Sequence, residues 1–177
     1  AGADLASTGA TGIATLALAN IGGTASFSGP VSAASLMVPA SVANLSMTGA
    51  SGTITNAVTF SNTGTLALGT AAGTLTFTAG LSVTTATNTF RGTIATGGAA
   101  GQDITLNNVT VGASALTMNA GANGNISVSG TMAVAAANAN ANAAQITAGI
   151  VAVSAGRNAA LFASAAAGVV VTTANLA

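Results

Sequence analysis

The stretch that decides the fold is residues 103–130, which read DITLNNVTVGASALTMNAGANGNISVSG. At its start, Ile104 and Leu106 alternate with Thr105, and the same alternation returns one repeat later from Ile126 onward. Successive side chains on a strand point to opposite faces, so this pattern is typical of a half-buried β-strand. The Asn and Gly residues between the two segments are typical of turns. The stretch therefore predicts short strands joined by tight turns.

The same pattern recurs along the chain in consecutive units of roughly 20–28 residues, a period typical of solenoids. The units cover residues 51–73, 74–101, 102–124, 125–145 and 146–168. Three short strands and three turns would fill one unit as one coil of a parallel β-helix. Because a single coil cannot bury its apolar face alone, the coils must stack. We predict an all-β parallel solenoid, with a pilin-like β-sandwich as the alternative.

The N-terminal part of the chain repeats less clearly. Pro30 and Pro39 bracket the apolar segment 31–38, and proline is tolerated only at strand starts, edges or bulges. We predict a single domain over residues 1–177. In it, residues 1–50 form an irregular coil, a cap or a docking element, and residues 51–177 form the repeating coils.

One alanine-rich segment, residues 133–145, has a composition that favours helix, because alanine is the best helix former. Its asparagines at 138, 140 and 142 nevertheless alternate with alanine, which is a period of two. Asparagine also favours turns over helix interiors. We predict strand or turn here, and leave a short helix open for residues 159–167.

Charged side chains are almost absent: the chain has two acidic residues, two basic residues, no His and no Cys, with a formal net charge of zero. General acid–base catalysis needs titratable groups within reach of the substrate, and a nucleophilic Ser or Thr needs an adjacent base. Calcium prefers six to eight oxygen ligands with several carboxylates. We therefore predict no enzyme activity, no cofactor and no metal site.

The four charged residues are Asp4, Arg91, Asp103 and Arg157. Two arginines do not make the cationic surface that nucleic-acid binding requires. The plainest interpretation is that Asp103 is a turn residue and that both arginines are solvated. The alternative pairs an arginine with Asp103 or Asp4, in a contact that sets register instead of bulk stability. Arg91, Asp103 and Arg157 are therefore candidate inter-subunit or register contacts.

Three N-x-S/T sequons occur, at Asn44, Asn108 and Asn125. In a chain this rich in Asn, Ser and Thr, chance alone produces about that number. A sequon that is glycosylated must lie on the surface.

The unit 103–130 resembles the passenger repeats of filamentous-haemagglutinin-type and autotransporter adhesins. The resemblance covers roughly residues 50–170 and lies in the alternation of apolar residues with Thr or Ser, followed by Asn-Gly or Ala-Gly turns. It implies a right-handed parallel β-helix exposed on a bacterial surface. It transfers no binding residue to this chain.

The most apolar window, residues 146–171, is interrupted by Arg157 and Asn158, and a spanning helix needs about 20 predominantly apolar residues. We expect no membrane-spanning helix and an extracellular or cell-surface location.

A net charge of zero favours association, and open strand edges template pairing with another chain. The apolar, uncharged segment 169–177 is unlike a polar capping repeat. We therefore expect a non-catalytic structural subunit of an extracellular filament or surface array, joined head to tail with copies of itself. The alternative is a shaft segment of a large bacterial surface adhesin, whose partner would be a host or neighbouring cell surface.

Overall fold

The structure is a computed structural model that describes residues 2–85, 87–134, 142–153 and 168–176. These residues form β-strands and no helix. The strands in chain order are β1 (Leu5–Ser7), β2 (Ala10–Ala17), β3 (Ile21–Phe27), β4 (Val31–Met37), β5 (Val42–Met47), β6 (Ser51–Ile54), β7 (Val58–Phe60), β8 (Thr65–Leu68), β9 (Thr74–Phe77), β10 (Leu81–Val83), β11 (Thr87–Thr96), β12 (Ile104–Leu106), β13 (Val109–Asn119), β14 (Asn125–Val128), β15 (Met132–Val134), β16 (Asn142–Val153) and β17 (Gly168–Leu176).

The strands pair in parallel and stack in three columns, which makes a β-solenoid of about six turns. Column I contains β1, β3, β5, β8, the first halves of β11 and β13, and β15. Column II contains β2, β4, β6, β9, the second halves of β11 and β13, and the starts of β16 and β17. Column III contains β7, β10, β12, β14 and the ends of β16 and β17. The predicted parallel solenoid is confirmed, and the β-sandwich alternative is not observed.

Coil length varies along the stack within the predicted range. Leu5 pairs with Ala25, a step of 20 residues, whereas Leu116 pairs with Ala144, a step of 28 residues. The added residues lie between strands or at bulges, such as the register shift between Phe90 and the next paired residue. The corners can absorb extra residues because the ladder hydrogen bonds constrain only the strands.

Inward-facing apolar side chains form a continuous core through the stack. In column III, one inward row follows the strand register through Phe60, Val83, Leu106 and Val128, each at most 2% exposed. The ring of Phe60 also meets that of Phe77 edge to face, with centroids 5.7 Å apart. The alternation predicted for DITL and NISVSG is confirmed, and the same pattern in TLTFT (residues 74–78) has the same result, since the apolar members of all three segments are buried.

Residues 53–60 (TITNAVTF) also alternate with a period of two, which predicts a single strand with Asn56 on its inward face, and this prediction is wrong. Strand β6 ends at Ile54 and β7 begins at Val58, in a different column. Between them Asn56 is exposed, and its Nδ2 donates to Ser35 Oγ at 2.8 Å. The period of two continues across the corner by coincidence, so alternation alone does not reveal the turn.

The N-terminal fifty residues occupy the same columns as the later coils. Strands β1, β3 and β5 lie in column I, and β2 and β4 lie in column II, with register shifts in the β2–β4 and β3–β5 pairings. Pro30 directly precedes β4, and Pro39 follows the bridge residue Val38, as expected for proline near strand boundaries. A capping or docking role for this region stays a prediction.

The alanine-rich segment is only partly covered by the structure. Strand β15 ends at Val134 and β16 begins at Asn142. Residues 135–141, and the helix left open for 159–167, lie outside the described residues.

Replacing Phe60 by alanine should lower the free energy of unfolding by about 3–5 kcal/mol, because the substitution leaves a cavity in the core. The matched control is Thr59→Ala, an exposed outward neighbour on the same strand, which should change stability by less than about 0.5 kcal/mol. Urea denaturation followed by far-UV circular dichroism measures both. Equal losses in the two variants would contradict the inward assignment of this row.

Candidate functional site

No reactive cluster appears in the parts of the chain that the structure describes. Within them, no group of three or more His, Cys, Asp or Glu side chains could hold a metal ion. Several surface depressions lie between outward side chains of adjacent coils, including one lined by Gly12, Ser32 and Thr53. The informative contacts are instead the polar ones that join one coil to the next.

Two asparagines, each one position before the first column I residue that pairs with the next coil, bind a threonine one coil later. Asn44 Oδ1 accepts the backbone N–H of Thr65 at 2.9 Å and its hydroxyl at 3.0 Å. Asn108 Oδ1 accepts the same two donors of Thr131 at 2.9 and 3.1 Å. The Asn44 amide also donates to the carbonyl of Gly23 in the preceding coil. Each asparagine therefore extends the hydrogen-bonded ladder past the end of a strand.

Both aspartates make the same kind of contact. Asp4 Oδ1 accepts the backbone N–H of Thr24 at 2.6 Å, and Asp103 Oδ1 accepts that of Asn125 at 2.8 Å. A hydrogen bond to an ionised acceptor is stronger than one between neutral groups. The two carboxylates therefore link neighbouring coils.

A buried polar network runs along the corner between columns III and I. Its members Asn62, Thr85 and Asn88 are 2%, 3% and 1% exposed. Thr85 Oγ1 donates to Asn62 Oδ1 at 2.9 Å, and Asn62 Nδ2 donates to the Thr65 carbonyl at 2.8 Å. Asn88 Nδ2 donates to the carbonyls of Thr85 and Asn108. The network links three successive coils inside an otherwise apolar core.

This network was not predicted from the sequence, although a signal for it was present. Asn88 is separated by one residue from Phe90, so the period of two places both on the inward face. An inward asparagine must find hydrogen-bond partners, because burying an unpaired amide is costly. Asn88 Oδ1 is buried without a protein partner, while its Nδ2 makes two bonds.

Two of the three sequon asparagines, Asn44 and Asn108, use their amide groups in the contacts between coils. N-glycosylation would substitute Nδ2, which in Asn44 donates to the Gly23 carbonyl. The third, Asn125, is half-buried at the start of β14. Glycosylation at any of them stays a prediction.

Arg91 projects from a bulge in β11, at the corner between columns I and II. It lies between Phe90, which is fully buried, and Gly92, which has a φ of 68°. A Cβ atom at position 92 would collide with the Thr70 carbonyl oxygen, so the bulge requires glycine. The Arg91 side chain crosses Gly112 of the next coil, where a Cβ would collide with its Nε. The local backbone therefore fixes an exposed arginine at this corner.

The candidate contact residues Arg91 and Asp103 lie at opposite ends of one column II segment. Arg91 precedes the second half of β11, residues 93–96, and Asp103 immediately precedes β12 in column III. The end of β11 and the non-strand residues 97–102 lie between them, so the chain crosses the column II face from one charged residue to the other. Arg157, the third candidate, lies outside the described residues. Contacts between subunits stay a prediction for all three.

Asp103 lies in a shallow groove of about 240 Å³ on the outer surface of column III. Its lining includes a row of three hydroxyl residues that are in register on successive coils, Thr59, Ser82 and Thr105. The floor includes Gly80, which adds no side chain. The groove combines one carboxylate with several neutral hydrogen-bonding groups.

Among the described residues, no helix has the length and hydropathy needed to cross a bilayer. No protein-family model, curated protein or solved structure matches this chain.

Replacing Asn108 by alanine should lower the free energy of unfolding by about 1–3 kcal/mol, because it leaves the Thr131 N–H without its acceptor. The adjacent Asn107 provides a control of the same residue type, since its amide reaches the Thr84 carbonyl only at 3.4 Å. Asn107→Ala should cost less than about 0.5 kcal/mol. Urea titration of both variants tests this, and a larger loss for Asn107→Ala would contradict the assigned role of Asn108.

Proposed function

We propose that this chain is a non-catalytic structural subunit that self-assembles end to end into an extracellular filament or surface array. The observation that carries the proposal is the open ladder of the first coil. In the described part of the chain, β1 pairs only with β3, and β2 only with β4. Such an edge presents unpaired N–H and C=O groups that can bind another strand.

The apolar core is also less covered at this end. Ile13 and Leu16 pack against the core but are only partly buried, and Leu5 is 39% exposed. Deeper coils bury their inward apolar side chains to below 10% exposure. A further coil stacked on this end would remove the remaining apolar surface from water, which is favourable.

The other end of the described stack presents a matching ladder. Among the described strands, β17 pairs only with β16, and it does so in parallel. A copy that places its β2 along the first part of this strand continues column II in the same direction. Contacts between two different surfaces do not close on themselves and generate a filament.

The lateral surface supports a role in assembly instead of chemistry. The outward positions of the strands are mostly Ser, Thr, Ala and Asn, and the net charge is zero. A neutral surface gives neighbouring subunits little electrostatic repulsion to overcome.

The second candidate is a shaft segment of a large bacterial surface adhesin, in which the same stacking continues within one polypeptide. The continued parallel register of β16 and β17, from Ile146 with Val171 to Val151 with Leu176, favours it. The resemblance to adhesin passenger repeats supports the same role. The coils would then act as a spacer that carries a binding region towards another cell.

The denatured intact mass of the native surface material separates the two candidates. A mass near 16.3 kDa supports a self-assembling subunit, whereas a mass several times larger supports the shaft of a long adhesin.

Ala6→Pro should raise the critical concentration for filament growth about tenfold, which corresponds to roughly 1.4 kcal/mol per contact. The Ser7 carbonyl accepts the Ser28 N–H inside the stack, so the neighbouring Ala6 faces the open edge and its N–H is not needed for the β1–β3 pairing.

Growth is followed by light scattering and electron microscopy, with Ala6→Ser as the matched control and circular dichroism to verify folding. A folded Ala6→Pro variant that assembles like the control would overturn the role of β1 in the contact. A wild-type chain that stays monomeric at high concentration would overturn self-assembly.

A further inference from the structure

We propose that filaments of this chain also associate side by side, with Arg91 of one copy binding Asp103 of the next. This inference rests on the proposed end-to-end assembly and names the lateral partner as a second copy. Its basis is charge complementarity on an otherwise neutral surface.

Few other charged residues in the described ranges could form the same ion pair. Within the described ranges Arg91 is the only basic residue, and the only acidic residues are Asp103 and Asp4. Asp4 lies just before the first strand, whereas Asp103 lies well inside the stack. A lateral contact between the bodies of two solenoids therefore has Asp103 as its acidic partner.

The placement of the pair favours contact between copies. Arg91 and Asp103 flank the same column II segment, one at each edge of that face. A second copy displaced sideways along this face brings its Arg91 corner next to the Asp103 corner of the first. The segment that keeps the two residues apart within one chain thus sets the spacing between neighbouring solenoids.

The groove around Asp103 suits a guanidinium group. Asp103 is half-buried, and one oxygen accepts the N–H of Asn125. A carboxylate offers about four lone-pair positions and a guanidinium five N–H donors, so the aspartate can accept an arginine as well. The hydroxyls of Thr59, Ser82 and Thr105 line the same groove and can accept further donors.

A single exposed ion pair of this kind is weak, so isolated monomers should not pair through it. Along a filament, however, the contact repeats once per subunit, and repeated weak contacts combine to give strong association. The contact joins two different corners, so it repeats without closing. The expected product is a flat sheet of parallel filaments with their column II faces on one side.

The test compares filaments of the wild-type chain with those of Arg91→Gln and Asp103→Asn. The new asparagine retains an oxygen that can accept the Asn125 N–H, so Asp103→Asn removes the charge while preserving the bond between coils. Asp4→Asn is the matched control, because Asp4 also accepts a backbone N–H of the next coil. Electron microscopy gives filament length and bundle width at 10 mM and 1 M salt.

Wild-type filaments and the Asp4→Asn control should form multi-filament sheets at low salt that separate at 1 M, where screening is strong. Arg91→Gln and Asp103→Asn should each reduce the bundled fraction about fivefold or more, because every subunit loses its pair. Filament length should not change. The double variant R91D/D103R, in which the charges are exchanged, should recover bundling if it folds as judged by circular dichroism.

Unchanged bundle width in both neutral variants would overturn the lateral contact while leaving end-to-end assembly intact. Loss of bundling in Arg157→Gln but not in Arg91→Gln would also overturn it, by assigning the cation to the other arginine. Absence of filaments in the wild-type chain is a different result, which overturns the proposed function and this inference together.

Discussion

The interaction on which the rest of the structure depends is the parallel hydrogen-bonded ladder between successive coils. It holds strands about 4.7–4.9 Å apart, so each inward side chain lies on the equivalent side chain of the coil before it. The row of Phe60, Val83, Leu106 and Val128 shows the consequence, since an apolar residue recurs at each step. A charged side chain in such a row would have no water and no partner, which is consistent with the scarcity of charge in this chain.

Near the ends of the strands, side chains provide hydrogen bonds that the backbone ladder does not. A strand that ends leaves backbone N–H groups that still require an acceptor. Here Asn44, Asn108, Asp4 and Asp103 provide it, each to a residue one coil later. Short Asx side chains suit this role, because their carbonyl oxygen lies close to the backbone and can mimic a backbone acceptor. The few polar residues that sequence inspection would assign to solvent or to turns are thus part of the connection between coils.

The same architecture is the reason that both proposals concern assembly. In the residues that the structure describes, a stack of similar coils presents repeating lateral surfaces. Two features differ between coils: whether a strand edge is already paired with another strand, and whether the coil carries one of the few charged residues. Both proposals made for this protein depend on those two features, the first on open ladders and the second on Arg91 and Asp103.

Much of the fold could be predicted from local pattern, and the errors have identifiable causes. Alternation identified the buried faces around Leu75, Ile104 and Ile126, because side-chain direction on a strand has a strict period of two. The same rule failed at Asn56, where the alternation continues across a corner into another column. It could not by itself assign Asn88 its partner in the next coil, because Asn108 lies 20 residues away in the sequence.

The sequence by itself determined the class of fold, the approximate coil length and the small number of titratable side chains. Alternation, turn residues and composition are all properties that can be read without knowing the tertiary structure. Only the tertiary structure decided which strand pairs with which, and that the Asn and Asp side chains bridge coils. Those outcomes depend on how many residues each corner absorbs, which sets the register between segments some twenty residues apart. Likewise, only the stacked structure places Arg91 and Asp103 at the two edges of one face, since the chain turns a corner between them.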